Sequence, residues 1–206
     1  MELIRSVYKL DLEIREAKAD EKYHRVEGQA VPFQSRTQIF GRYYEEFVSG
    51  AFERTIKEAE PDAALLIDHR GLAIARQSNK TVVFREDADG LQFDAKLDRE
   101  DPDVQALVPK LRSGNVRHMS VGFIPRKYAI REEEDDAVTD EMQDVDLYEA
   151  SFVTFPAYAD TEASLRTRSS YRDKKLSART VPHQESFNDI IRREQEFLRQ
   201  FRAEHL

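Results

Sequence analysis

The chain has 206 residues, 40% hydrophobic and 10% aromatic, with 12 Phe and 8 Tyr. That is enough to build the core of about one domain, while 35% charged residues and a mean hydropathy of −0.69 add exposed polar segments. The absence of Cys excludes a disulfide framework, a thiol nucleophile and a thiolate metal site, and a net charge of −8 runs against the basic stripe of a nucleic-acid surface. No apolar run approaches the ~18 residues of a membrane span, and the opening MELIRSVYKLDLEIRE alternates and is charged, unlike a signal peptide. The expectation is a cytosolic protein with neither nucleic acid nor membrane as partner.

In chain order, Leu10, Leu12 and Ile14 alternate with charged residues, as in a half-buried strand. HRVEGQAVPF (His24–Phe33) reads as a second strand, broken by Gly28 and Pro32. SGAFERTIKEAE is expected as a helix capped by Ser49, with Phe52, Ile56 and Ala59 on one face. AALLIDH, ending at His69, is a short continuous apolar run, the pattern of a strand buried on both sides. TVVFREDADGLQFDAKL is a hairpin with its turn at Asp89-Gly90. DPDVQALVPKLRSG is a helix with Asp101 as N-cap, Pro102 at the first position, a stripe of Val104, Leu107, Val108 and Leu111, and Gly114 as terminator. Pro109 is expected to kink or shorten it.

A strand follows through Asn115–Ile130, then an acidic run, REEEDDAVTDEMQD, read as a mobile hairpin tip. VDLYEASFVTFPAY is the last strong strand. The fold class is therefore mostly β (β with α). A closed or nearly closed barrel of about seven strands, with two or three flanking helices, would protect the strand edges. The expected division is a β domain over 1–165, a polar linker over 166–184 and an amphipathic helix over 185–206. Phe187, Ile190, Ile191, Phe197, Leu198 and Phe201 line one side of that helix, and Ser186 and Asp189 fit a capping box.

Three polar residues interrupt the apolar pattern. Ser120 sits mid-strand between His118 and Gly122; His69 ends a core strand; Glu149 lies on a face that strict alternation assigns to Val145, Leu147, Ser151, Val153 and Phe155. A serine hydroxyl needs a base within hydrogen-bond reach to act as a nucleophile. An imidazole is the usual base, and it works best when a third group holds its tautomer. Ser120, His69 and Glu149 are candidates for nucleophile, base and acid. Asp144 borders the acidic run, and strict alternation turns Asp146 away from Glu149. No G-x-S-x-G elbow is present, which argues against an α/β-hydrolase. A metal hydrolase on Asp68 and His69 is a weaker reading, because zinc wants three protein ligands and only His24 and His118 lie elsewhere in the core.

MSVGF (Met119–Phe123) resembles the M-S-[FV]-G-F signature around the nucleophile of the prohead maturation proteases of tailed bacteriophages. VPFQS (Val31–Ser35), SGAFERTI (Ser49–Ile56), LLIDHRG (Leu65–Gly71), DGLQFDAKL (Asp89–Leu97) and LYEASFVTFPAYADTEA (Leu147–Ala163) resemble further segments of that family, in the same order, across roughly Tyr23–Arg168. The resemblance implies an assemblin-like β-barrel serine endopeptidase with Ser120 as nucleophile, His69 as base and Glu149 at the acidic position. In the related herpesvirus assemblins the third member is a second His. It implies action inside the immature capsid in the host bacterial cytoplasm. The expected partner is the major capsid protein with its scaffold domain, together with self-cleavage and self-association, and no cofactor. His118 is read as incidental or substrate-facing. The oxyanion hole is expected from a backbone N–H near Ser120 or from Arg126. The competing reading within the same fold is an inactive capsid-assembly or scaffold-binding module.

Overall fold

The computed structural model describes residues 3–40, 42–133 and 137–155. The expected linker and C-terminal helix lie outside the described residues.

Eleven strands and two helices are found among the described residues, in the order β1 (Ile4–Lys9), β2 (Asp11–Arg15), β3 (Tyr23–Pro32), β4 (Thr37–Phe40), β5 (Tyr43–Phe47), α1 (Glu53–Glu58), β6 (Ala64–Ile67), β7 (Arg70–Arg76), β8 (Val82–Glu86), β9 (Gly90–Asp98), α2 (Pro102–Arg112), β10 (His118–Glu132) and β11 (Val138–Val153). They form two sheets, and neither closes into a barrel. The four-stranded sheet runs β2-β3-β9-β8. The seven-stranded sheet is built on the long antiparallel pair β10–β11, with β1 beside β10. The second edge of β11 is shared by two short parallel strands: β5 along Val138–Met142, followed outward by β4, and β6 along Glu149–Phe152, followed by β7. The closed barrel of about seven strands is therefore corrected to two open sheets. One edge of β11 is divided between two hairpin-like additions, and β2, β3, β8 and β9 form a ladder of their own.

The local chemistry explains most elements. In β9 the alternating Leu91, Phe93, Ala95 and Leu97 are all fully buried. The edge of Phe93 meets Phe152 of β11 at 5.8 Å between ring centroids, joining the two sheets. Phe47 packs against Phe52 and Phe123, each at 5.0 Å. In α2 the Asp101 side chain accepts from the Asp103 N–H and Pro102 opens the first turn. The stripe of Val104, Leu107, Val108 and Leu111 is buried, and the helix continues past Pro109 to Arg112.

The first helix differs from its expectation. It begins at Glu53 without a side-chain cap of its own. The carboxylate of Glu86 on β8 instead accepts from the backbone N–H groups of Gly50 and Phe52, at 3.0 and 2.6 Å. Most of the acidic run is ladder, not loop. β10 continues to Glu132 and β11 starts at Val138, and Arg131 joins the strands through Glu46, Glu133 and Glu141. No helix among the described residues is long and apolar enough to cross a membrane.

Candidate active site

The site face of the large sheet follows from strand register. On β10–β11, Ser120 pairs with Ser151 and Gly122 with Glu149. On the other edge of β11, Ala64 pairs with Glu149 and Leu66 with Ser151. One step along, Phe123 pairs with Leu147, so Tyr148 is an extra residue on β11. A bulge of this kind switches the side to which the following residues point. Val145 and Leu147 therefore share the core face with Ala150 and Phe152, and Asp146 falls on the side of Glu149. Strict alternation from Val145 to Phe155, and the orientation it gave Asp146, are both corrected by this single residue.

Glu149 is 5% exposed. Its Oε1 accepts from Arg5 Nε of β1 at 2.9 Å and lies 2.8 Å from His69 Nδ1. Burial alone pushes this carboxyl up, but the hydrogen bonds of His69 and Arg5 outweigh it and hold the group below its ordinary range. An ionised carboxylate has no proton to give, so Nδ1 donates, and in the neutral imidazole that tautomer leaves Nε2 with the bare lone pair. Gly122 is required by this arrangement. A Cβ there would stand 2.5 Å from Glu149 Cγ and 2.7 Å from Oε1, so the carboxylate lies directly over the glycine. The imidazole, one hydrogen bond from that oxygen, is thereby held on the face that carries Ser120. His69 Nε2, Ser120 Oγ and Ser151 Oγ are all buried with no hydrogen-bond partner. Unpaired buried polar atoms are uncommon and costly, and a base and its nucleophile often approach closely only once substrate is bound.

His69 is not the last residue of a core strand. Ile67 pairs with Arg70, which makes Asp68-His69 a two-residue hairpin turn, and both have positive φ, 46° and 59°. That is the conformation a type I′ turn demands at both positions. The αL region costs roughly 1–2 kcal/mol for an L-residue, and Asp and His are among the side chains found there most often. The turn is pinned to β11: the Asp68 N–H donates to Phe152 O, and the Asp68 carboxylate accepts from the Thr154 N–H, both at 2.9 Å. The turn is thus fixed at the level of Phe152 while its imidazole reaches back to Glu149.

The remaining candidates are separated from this group. Arg126 donates to Asp146 at 2.5 Å and lies six residues along β10 from Ser120, ~20 Å at strand rise, so it is withdrawn as an oxyanion donor. Asp146 also receives Arg54 at 2.6 Å, and Asp144 receives the same arginine at 3.0 Å. His118 shares the face of Ser120; burial, then Arg117 and Lys9, hold its imidazole below the ordinary range. Among the described residues no three metal-ligating side chains come together. Asp68 serves the turn, and His24 Nδ1 accepts the Ala17 N–H at 3.1 Å.

Sequence reasoning missed two residues of the group. Ser151 carried a weak signal, a hydroxyl two residues from Glu149 on an apolar strand. Arg5 carried none, being one cation in an alternating charged segment. No curated protein and no solved structure matches the chain. The family model of the caudovirus prohead serine proteases matches residues 10–175, a span that holds Ser120, His69 and Glu149, and the chain belongs to that family.

Proposed function

We propose that the protein is the maturation endopeptidase of a phage prohead, that it removes the scaffold portion of the major capsid protein inside the assembling shell in the host cytoplasm, and that Ser120, His69 and Glu149 carry the reaction. The observation that supports this reading best is the Glu149–His69 hydrogen bond, which leaves Nε2 unpaired on the same sheet face as the unpaired hydroxyl of Ser120. Ser120 Oγ attacks the scissile carbonyl carbon while its proton passes to His69 Nε2. Glu149 holds the Nδ1–H and stabilises the imidazolium. The tetrahedral intermediate collapses with cleavage of the C–N bond, and the imidazolium proton leaves on the amine. Water, deprotonated by the same nitrogen, then hydrolyses the acyl-serine and restores the hydroxyl.

The amphipathic pattern over 185–206 and the polar composition of 166–184 extend the reading. The C-terminal segment delivers the protease into the shell or to a partner protomer, and self-cleavage in the linker releases it. Deletion of Ser186 to Leu206 is expected to leave peptide hydrolysis intact and to reduce packaging. Loss of the folded domain on deletion would overturn this role.

The direct test combines the purified chain with the major capsid protein of the same phage. Shortening of the capsid protein by its scaffold portion, absent with Ser120→Ala, is the expected result. Full processing by a folded Ser120→Ala protein would overturn the assignment.

A further inference from the structure

We propose that Arg5 is a positioning residue of this site, clamping Glu149 through the same oxygen that holds His69. The inference rests on the reading of Ser120, His69 and Glu149 given above. Arg5 belongs to β1, an edge strand beside β10, and lies ahead of the family-matched span, which begins at residue 10. The family match therefore does not account for it.

The geometry is specific. Arg5 Nε donates to Glu149 Oε1 at 2.9 Å, and His69 Nδ1 lies 2.8 Å from that same oxygen. A glutamate has one more rotatable bond than an aspartate and needs more restraint to present one oxygen to an imidazole. The open Cα of Gly122 gives the side chain room, and the guanidinium fixes where in that room the carboxylate rests. The Arg5 side chain is 43% exposed and that of Glu149 only 7%, so the clamp reaches in from the solvent edge.

Charge gives Arg5 a second consequence. In the site as it stands, the Glu149 carboxylate and the Arg5 guanidinium form an ion pair. Arg5 is one of the partners that hold the Glu149 carboxyl below its ordinary range, so its removal lets that carboxyl rise and moves the loss of the carboxylate, and with it of activity, to higher pH. The other charged groups near the pair come from every packed element. Asp68 adjoins His69 in the turn and is engaged by Thr154, and His118 is on β10. Asp146 lies further along β11 and is neutralised by Arg54 and Arg126. Of all these, Arg5 is the cation in contact with Glu149.

The test measures the rate at which a serine-directed fluorophosphonate labels Ser120, by mass shift, as a function of pH. Wild type, Arg5→Gln and Arg5→Lys are compared, with folding checked by thermal melting. Arg5→Gln is expected to move the low-pH limb of the labelling rate upward by about half a pH unit or more, and Arg5→Lys to restore much of it. A merely structural role would change the melting temperature and leave the limb in place. Labelled wild type with an unshifted Arg5→Gln limb overturns the role of Arg5 alone. Wild type that is not labelled at Ser120 overturns the reading of the site itself.

Discussion

Two buried carboxylates lie three residues apart on β11 and, because of the bulge at Tyr148, on the same side of the sheet. Asp146 receives two arginines, Arg54 and Arg126. Glu149 receives one arginine, Arg5, and one histidine, His69. Both satisfy the requirement that a buried charge be paired, yet they are different devices. The partners of Asp146 are permanently charged, so its network has a single state and serves to join α1 and β10 to β11. One partner of Glu149 is an imidazole, a side chain able to take up and hand on a proton during a reaction, and its second nitrogen, on the far side of the ring from the carboxylate, has no hydrogen-bond partner. A carboxylate that only stabilises a fold is surrounded by fixed charges; one that supports proton transfer keeps a partner that can change.

This contrast is tested most strongly at the residue the switchable pair would serve. Ser120→Ala is expected to fold normally and to lose on the order of 10³-fold or more in turnover, as when any triad nucleophile is removed. Glu149→Gln comes next. The amide keeps the shape and a hydrogen bond but loses the charge, and it can favour the wrong imidazole tautomer. A fall in kcat of about 10²- to 10⁴-fold with little loss of stability is expected. If Glu149→Gln keeps more than half of the wild-type rate, Glu149 belongs with Asp146 as a structural carboxylate and the comparison collapses.

Gly122→Ala probes the pair without touching it chemically. The added Cβ would stand 2.5 Å from Glu149 Cγ, so the carboxylate must shift and one of its two bonds must stretch. Misplacement by about an ångström costs on the order of 10- to 100-fold in rate, while the strand itself accepts alanine at this position, where φ is not positive. Steady-state kinetics on a peptide spanning the capsid cleavage site, beside a urea melt, separate the two effects. Wild-type kcat in a folded Gly122→Ala protein would mean that the position of the carboxylate is immaterial.

The parts of this arrangement that a sequence can show are those with local causes. The alternation of Leu91, Phe93, Ala95 and Leu97, the Asp101-Pro102 start of α2 and the hairpin between β8 and β9 are written in neighbouring residues, and they appear where periodicity put them. What was not legible depends on distant partners. β5 reads as YYEEF, too polar for a core strand, because the buried Glu45 in its middle is satisfied by Ser6 from β1. β4 has only four residues, and β7 leaves Leu72 exposed on an outer edge. Two separate strands share one edge of β11, an arrangement that no local pattern encodes. The three candidate residues were visible as polar intrusions in apolar strands. The clamp on Glu149 was not, because Arg5 lies 144 residues away in sequence. The orientation of Asp146 was misread because one bulged residue inverts a period of two.

That misreading changes the smallest of the expected activity effects. Had Asp146 pointed away from the site into solvent, Asp146→Asn would be silent in every assay. It is instead 2% exposed and held by Arg54 at 2.6 Å and Arg126 at 2.5 Å. Arg54 also reaches Asp144, Glu58 and the carbonyl of Val145, so it keeps partners when Asp146 loses its charge. The Arg126 side chain is 60% exposed and can turn to water. The cost of Asp146→Asn is therefore a partial one, about 1–3 kcal/mol of stability, below the penalty for stranding a fully buried charge. The urea midpoint should fall at unchanged slope. The rate of Ser120 labelling per folded molecule should stay near wild type, because neither arginine of this network touches Glu149 or His69. A variant that keeps its midpoint but loses activity as deeply as Glu149→Gln would exchange the roles of the two carboxylates, making Asp146 the acid of the site and Glu149 the anchor of the fold.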